Sequence, residues 1–401
     1  MDRSTEDSRR TSLFSGILIL FTIAHFAHHL LAASLYPLLP FIRNNFRLDY
    51  TQSAGVVSAF SFANGIGQLP GGWLADRIDS RILIVLGISG VALAGILIGF
   101  SQTYVMLLVF LALMGALGGG YHPSAAPTVA SLVEPKVRGR ALGLHEIGAG
   151  VAFFIVPVIA AAIGASLGWR VSFIVLAIPT LIYGVVFYQI LRRHAGSKKA
   201  RQVETDYHDE TSLTIPGRIR RLVAFLILIV ASGAIVHSAL AFLTLYIVDE
   251  LGGSEQAAAT LLSVMQSAGL WASVVGGYLS DRLGKVKVVV TINLVTAGCI
   301  YLLTHASFGV EIGTLLLIIG ICTFMRLTVS EAYIMEYTTK RRRSTVYGIY
   351  YFSMTETGAV LAPVMGHMID NFRFHSSFAM ASIALVSVTL ICSLFLWRSR
   401  K

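Results

Sequence analysis

Residues 72–77 read Gly72-Trp73-Leu74-Ala75-Asp76-Arg77, and residues 277–282 read Gly277-Tyr278-Leu279-Ser280-Asp281-Arg282. Both hexapeptides run glycine, aromatic, leucine, small residue, aspartate, arginine, and they stand 205 residues apart. The same offset carries Arg138 to Arg343 and Gly143 to Gly348, while Pro157 and Pro363 differ by 206. A 401-residue chain that repeats at about half its length is built from two related halves.

The sequence around the two hexapeptides decides what those halves cross. Hydrophobic residues make up 55% of the chain and charged residues only 13%, and glycine (37) outnumbers aspartate plus glutamate (21). Mean hydropathy is +0.73. A water-facing exterior cannot be covered with so few polar side chains, which excludes a soluble enzyme, a nucleic-acid-binding domain and a disordered scaffold. Apolar runs long enough to cross a hydrocarbon core of about 30 Å recur throughout. Twelve are expected, at 14–42, 52–75, 82–100, 103–133, 139–165, 169–191, 222–248, 255–280, 287–304, 309–337, 344–369 and 375–397. The three cysteines, Cys299, Cys322 and Cys392, lie far apart inside such runs and imply neither a disulfide framework nor a metal site.

The expected organisation is a cytoplasmic tail (1–13), a six-helix half (14–191), a cytoplasmic linker (192–221), a second six-helix half (222–397) and a short tail (398–401). With both termini inside, 26 of the 31 Lys and Arg residues fall on inner segments. The outer loops hold four, Arg43, Arg47, Arg170 and Arg373, which is the bias the positive-inside rule demands. The net charge of +10 is therefore read as orientation and contact with anionic lipid, with no nucleic-acid partner.

Two parallel six-span halves, each with the glycine-to-arginine hexapeptide after its second span, resemble the major facilitator superfamily of secondary transporters. The resemblance covers about the whole chain. It implies an all-α membrane protein of twelve transmembrane helices around a central cavity, in the cell membrane, with both termini cytoplasmic. It further implies that Asp76, Arg77, Arg138, Asp281, Arg282 and Arg343 gate the inner face, Asp76 toward Arg343 and Asp281 toward Arg138. Gly72 and Gly277 are expected where helix backbones approach. The first copy departs from the family pattern at Asp79-Ser80, where glycine and a basic residue are typical. A short turn with solvated charges is the plainer reading of each hexapeptide.

Ionisable residues within apolar runs are costly and mark binding or proton-carrying sites by default. At about 1.5 Å per residue from the inner face, His25, His28 and His29 fall about 18–24 Å up the first span. His237 falls about 24 Å up the seventh, and His122, Arg326 and Glu356 reach about 17–20 Å by the same count. The three histidines of the first span sit at i, i+3 and i+4, on one helix face. They suit substrate or proton binding; the alternative is packing with satisfied hydrogen bonds. Metal ligation lacks an acidic or cysteine partner on the same helix, so no metal or cofactor is expected. Arg326 and Glu356 flank the Lys340–Arg343 turn symmetrically and could pair or share a substrate. Glu331, about 12 Å deep, is a further candidate, as proton carrier or inner-gate residue, while Glu146, about 10 Å deep, has no repeat partner. Tyr121-His122-Pro123, after Gly118-Gly119-Gly120, should interrupt the fourth span, as a substrate contact or a hinge.

His25, His28-His29 and Leu38-Leu39-Pro40, with Tyr121-His122-Pro123-Ser124, loosely resemble the fosmidomycin-resistance branch of that superfamily. That branch carries an acidic residue where His29 stands. No G-x-x-x-x-G-K-[ST] phosphate loop occurs, which argues against ATP as the driving force. The expected function is secondary active transport by a monomer, not enzymatic catalysis. The expected cargo is a small organic anion moved with protons and received by Arg326; proton-antiport efflux of a drug-like or phosphonate compound is the alternative.

Overall fold

The computed structural model describes residues 16–75, 77–133, 138–194, 218–337 and 343–397. Asp76, both tails, most of the linker, and the side chains of Arg138, Arg343 and Glu356 lie outside the described residues. The expected pairs Asp76–Arg343, Asp281–Arg138 and Arg326–Glu356 each have at least one member outside them and therefore lie outside the described residues too, although Asp281 itself is described and exposed on its helix.

The described residues are helical, with no strand among them. In chain order the helices are α1 (Gly16–Phe46), α2 (Tyr50–Ala75), α3 (Ser80–Gly99), α4 (Tyr104–Gly118), α5 (Tyr121–Ser131), α6 (Arg138–Leu167) and α7 (Trp169–His194). They continue as α8 (Arg218–Leu240), α9 (Leu243–Asp249), α10 (Glu255–Ser267), α11 (Ala272–Leu283), α12 (Lys285–Leu303), α13 (Val310–Tyr337) and α14 (Arg343–Trp397). Among the described residues nine helices are long and apolar enough to cross a membrane, or ten when α10 and α11, bent by 50° at their junction, count as one. The 55-residue α14 breaks at Arg373 (φ 62, ψ 170), in the outer turn expected between the last two spans. Large apolar side chains such as Val274 (78% exposed) and Ile383 (65%) face outward, as a lipid-facing surface requires.

The chain forms two compact units. Unit 1 comprises residues 1–46 and 59–203; unit 2 comprises 47–58 and 204–401. Helix α2 thus starts in unit 2. There the carboxylate of Asp370 accepts hydrogen bonds from Tyr50 N (2.9 Å), Thr51 N (2.9 Å) and Thr51 Oγ1 (2.6 Å). It satisfies first-turn amides that no helical carbonyl can reach, from 320 residues away in sequence.

The repeat is visible in the packing of each unit. In unit 1 a Cβ on Gly71 would lie 2.7 Å from Gly120 Cα; in unit 2 a Cβ on Gly276 would lie 2.8 Å from Met325 Cα. Both residues of the second pair stand 205 positions after those of the first. This corrects the expectation for Gly72 and Gly277. A Cβ there would make only ordinary contacts, 3.8 Å to Pro123 and 3.9 Å to Thr328, so the preceding glycine of each copy carries the close approach. Arg77 lies over the Trp73 ring (4.0 Å) and Arg282 over Tyr278 (4.6 Å), each held by the aromatic of its own hexapeptide.

The departure at Asp79 has a structural counterpart. Gly284, 205 positions later, ends α11 with φ 88, a conformation glycine adopts without steric cost. Asp79 instead adopts an extended conformation (φ −63, ψ 116) and caps α3, accepting a hydrogen bond from Arg81 N (3.0 Å). Its carboxylate also takes the Arg81 guanidinium at 2.8 and 2.9 Å.

Candidate functional site

Unit 1 gathers five imidazoles. His25, His28 and His29 come from α1, His122 from α5 and His145 from α6. The close meeting of α1 and α6 depends on Gly148, where any Cβ would collide with the carbonyl of Thr22. Thr22 Oγ1 in turn donates to Leu144 O (3.2 Å). With the backbones this near, the His25 and His145 rings stack at 4.1 Å and 8°. Span four breaks at Gly119–Gly120, between α4, which ends at Gly118, and α5, so that Tyr121-His122-Pro123, expected to form the interruption, is instead the first turn of α5. Pro123 falls in the first turn of α5, where a missing N–H costs no helical bond.

Backbone carbonyls orient three of these rings. His145 O meets His25 Nδ1 at 3.0 Å, Gly87 O meets His28 Nδ1 at 2.9 Å, and Phe21 O meets His145 Nδ1 at 3.0 Å. A carbonyl only accepts, so each Nδ1 carries the hydrogen and each neutral ring presents a bare Nε2. Gly87 lies in a π-helical turn, Leu86–Gly90, of α3. Such turns redirect carbonyls and recur at functional positions. Tyr121 stacks on His28 at 4.1 Å and 8°. His25, His28 and His145 are buried, whereas His29 and His122 are partly exposed.

Unit 2 holds the second group. Arg326 on α13 is 7% exposed. Its Nη1 donates to Ser232 Oγ (3.2 Å) and reaches Ile229 O (3.5 Å), both on α8. Ser330 Oγ donates to Arg326 O (2.6 Å), on the same helix. His237, two turns further along α8 from Ile229, lies within electrostatic reach of Arg326. A Cβ on Gly358 would lie 3.1 Å from the His237 ring. Glu331 is half-buried on α13.

The structure therefore brings His25, His28, His29 and His122 together, and sets His237 and Arg326 on two helices of unit 2 that are joined by the Arg326–Ser232 hydrogen bond. Sequence reasoning missed His145. The residue next to it, Glu146, counts to about 10 Å deep, well below His25, yet the His25 and His145 rings stack, because residue counts taken from different helix starts do not share one depth scale. Glu146, set aside for lack of a repeat partner, has Oε1 3.9 Å from His25 Nδ1.

Two units of apolar helices that share an internal repeat and carry buried ionisable groups define a multi-pass membrane protein. The pattern of the Major Facilitator Superfamily matches residues 21–269 and 222–401, and the chain belongs to that family. It is 26% identical over 354 residues to Multidrug resistance protein MdtG of Escherichia coli strain 536, covering 86% of this chain and 84% of that one. A solved POT family transporter in complex with 5-aminolevulinic acid shares the fold at TM-score 0.81 and 14% identity, with 96% of each chain covered. A bacterial homologue of the human lysosomal transporter Spinster does so at 0.76 and 16%, again over 96% of each. The protein is a secondary membrane transporter of the cell membrane, not an enzyme.

Proposed function

We propose that the chain moves a small organic anion by proton-coupled alternating access, with Arg326 receiving the negative charge of the cargo. The observation that carries this reading is the setting of Arg326. Its guanidinium is buried, and among the described residues its hydrogen-bond partners, Ser232 Oγ and Ile229 O, are neutral. A buried cation is costly until an anion offsets it, so an anionic group of the cargo gains more there than in water. His237 and Glu331, on the same two helices, are the groups assigned to the proton.

The test is uptake into proteoliposomes under an imposed proton gradient, with monocarboxylates, dicarboxylates and phosphonates, for wild type, Arg326→Ala and Arg326→Lys. The reading requires that one anion accumulates in wild type, that Arg326→Ala abolishes accumulation, and that Arg326→Lys restores part of it. Equal uptake by Arg326→Ala would end it.

A second reading is export of drug-like or phosphonate compounds in exchange for protons. It is supported by the name of the MdtG relatives and by the resemblance of Tyr121-His122-Pro123 to the fosmidomycin-resistance branch. It requires cargo-dependent proton release that survives Arg326→Ala.

A further inference from the structure

We propose that His25, His29 and His122 form a binding site for a divalent first-row transition-metal ion, with Zn²⁺ the ion their donors match best. The site is built from residues of unit 1 alone and does not depend on the identity of the cargo.

One ring nitrogen from each of the three residues lies within 4.8 Å of the others. His25 Nε2 and His29 Nε2 are 3.1 Å apart. Zn–N bonds of 2.0–2.1 Å in a tetrahedron place ligand nitrogens about 3.3 Å from one another. The α1 pair, at i and i+4, therefore stands at chelating distance. His122 closes the triangle from α5 and, being partly exposed, has room to adjust its ring.

Protonation supports the same assignment. The hydrogen on His25 Nδ1 is committed to the carbonyl of His145, at 3.0 Å, which leaves the lone pair of Nε2 pointing at His29. Metal-ligating histidines characteristically donate their other N–H to a backbone carbonyl or carboxylate, which fixes the tautomer and raises ligand basicity. Imidazole donors without thiolate suit Zn²⁺, Cu²⁺, Ni²⁺ and Co²⁺ and disfavour Mg²⁺ and Ca²⁺. Three neutral ligands leave the fourth tetrahedral position for water. The carboxylate of Glu146, 3.9 Å from His25 Nδ1, supplies nearby negative charge against the ion's two positive ones. The exposed parts of His29 and His122 provide the approach.

The experiment is a titration of the full-length, tag-free protein in lipid nanodiscs at pH 7.5 with ZnCl₂, by isothermal calorimetry. One ion per chain should bind at micromolar concentration or tighter. His29→Gln and His122→Gln should each weaken binding at least tenfold, while His305→Gln, an exposed histidine, should leave it unchanged. Absence of saturable binding, or wild-type affinity in His29→Gln and His122→Gln, would overturn the proposal. Should either variant fail to stay monodisperse, Co²⁺ titration of the wild type decides. Intense visible bands of four-coordinate Co²⁺ support the site, and the weak spectrum of a six-coordinate ion overturns it. None of these readouts involves transport, so failure here leaves the anion reading untouched, and the converse.

Discussion

Gly320 sits directly against the carbonyl oxygen of Met265, so that a Cβ at that position would collide with the backbone of α10. Gly115 and Phe60 stand in the same relation in unit 1, both 205 residues earlier. Together with Gly71–Gly120 and Gly276–Met325, these contacts show that the repeat preserves where helices touch, beyond the hexapeptides that announce it. In lipid there is little hydrophobic drive between helices, and close backbone packing takes its place.

Gly320→Val should therefore push α13 off α10. Overpacking of this kind costs roughly 1–3 kcal/mol, and the purified protein should melt at a lower temperature by a size-exclusion thermal-shift assay. Gly298, on α12, has open space around its Cβ position, so Gly298→Ala should melt no lower than wild type. Indistinguishable curves for the two variants would refute the packing argument.

Asp370 holds the first turn of α2 through three hydrogen bonds. Asp370→Ala leaves those donors without their acceptor and should cost about 0.5–2 kcal/mol, the range for loss of a helix cap. Asp370→Asn, which keeps one acceptor oxygen, should lose less. The check is faster amide hydrogen exchange at residues 50–53 in the alanine variant; unchanged exchange would count against it.

Ser232→Ala tests how Arg326 is held. Removing a hydrogen-bond partner of a buried charge costs about 1–3 kcal/mol. The expected outcome is a several-fold or greater loss of anion uptake, with the protein still monodisperse. Wild-type uptake would mean that the hydroxyl does not position the guanidinium.

The Asp79–Arg81 contact predicts a pH effect outside the membrane. The side-chain hydrogen bond from Arg81 holds the Asp79 carboxyl below its usual value of 3.8. A depressed carboxylate contributes stability that is present above pH 3.8 and lost as pH falls through the lower folded-state value. Both side chains are partly solvated, so the effect is small. The melting difference between wild type and Asp79→Ala should be steady from pH 7 to pH 5 and shrink as pH drops below about 4. A difference that grows on acidification would be the wrong sign.

The fold was legible because its signals are local. A run of apolar residues long enough for the bilayer must span it as a helix, since lipid offers backbone groups no other partner. Two hexapeptides at a constant offset then imply two similar units. Proline and three glycines at 118–123 marked the break in the fourth span for the same local reason, and Arg373 marked the outer turn through which α14 bends. The candidate site was legible only by type. Residues unusual at membrane depth could be picked out, but not which of them meet.

Helix rotation, tilt and backbone separation decided the rest, and these are set by contacts between helices that are distant in sequence. His145 joined the cluster because Gly148 lets α6 lie against Thr22 of α1. The ring nitrogens that stay bare were chosen by the carbonyls of Gly87, Phe21 and His145. Arg326 found Ser232 on a helix 94 positions away. The sequence by itself determined that this chain crosses the membrane as two related helical units and which polar residues travel with them. The tertiary structure alone decided which imidazoles face one another and what holds the buried arginine, because a side chain's neighbours depend on how helices pack and its burial cost on those neighbours.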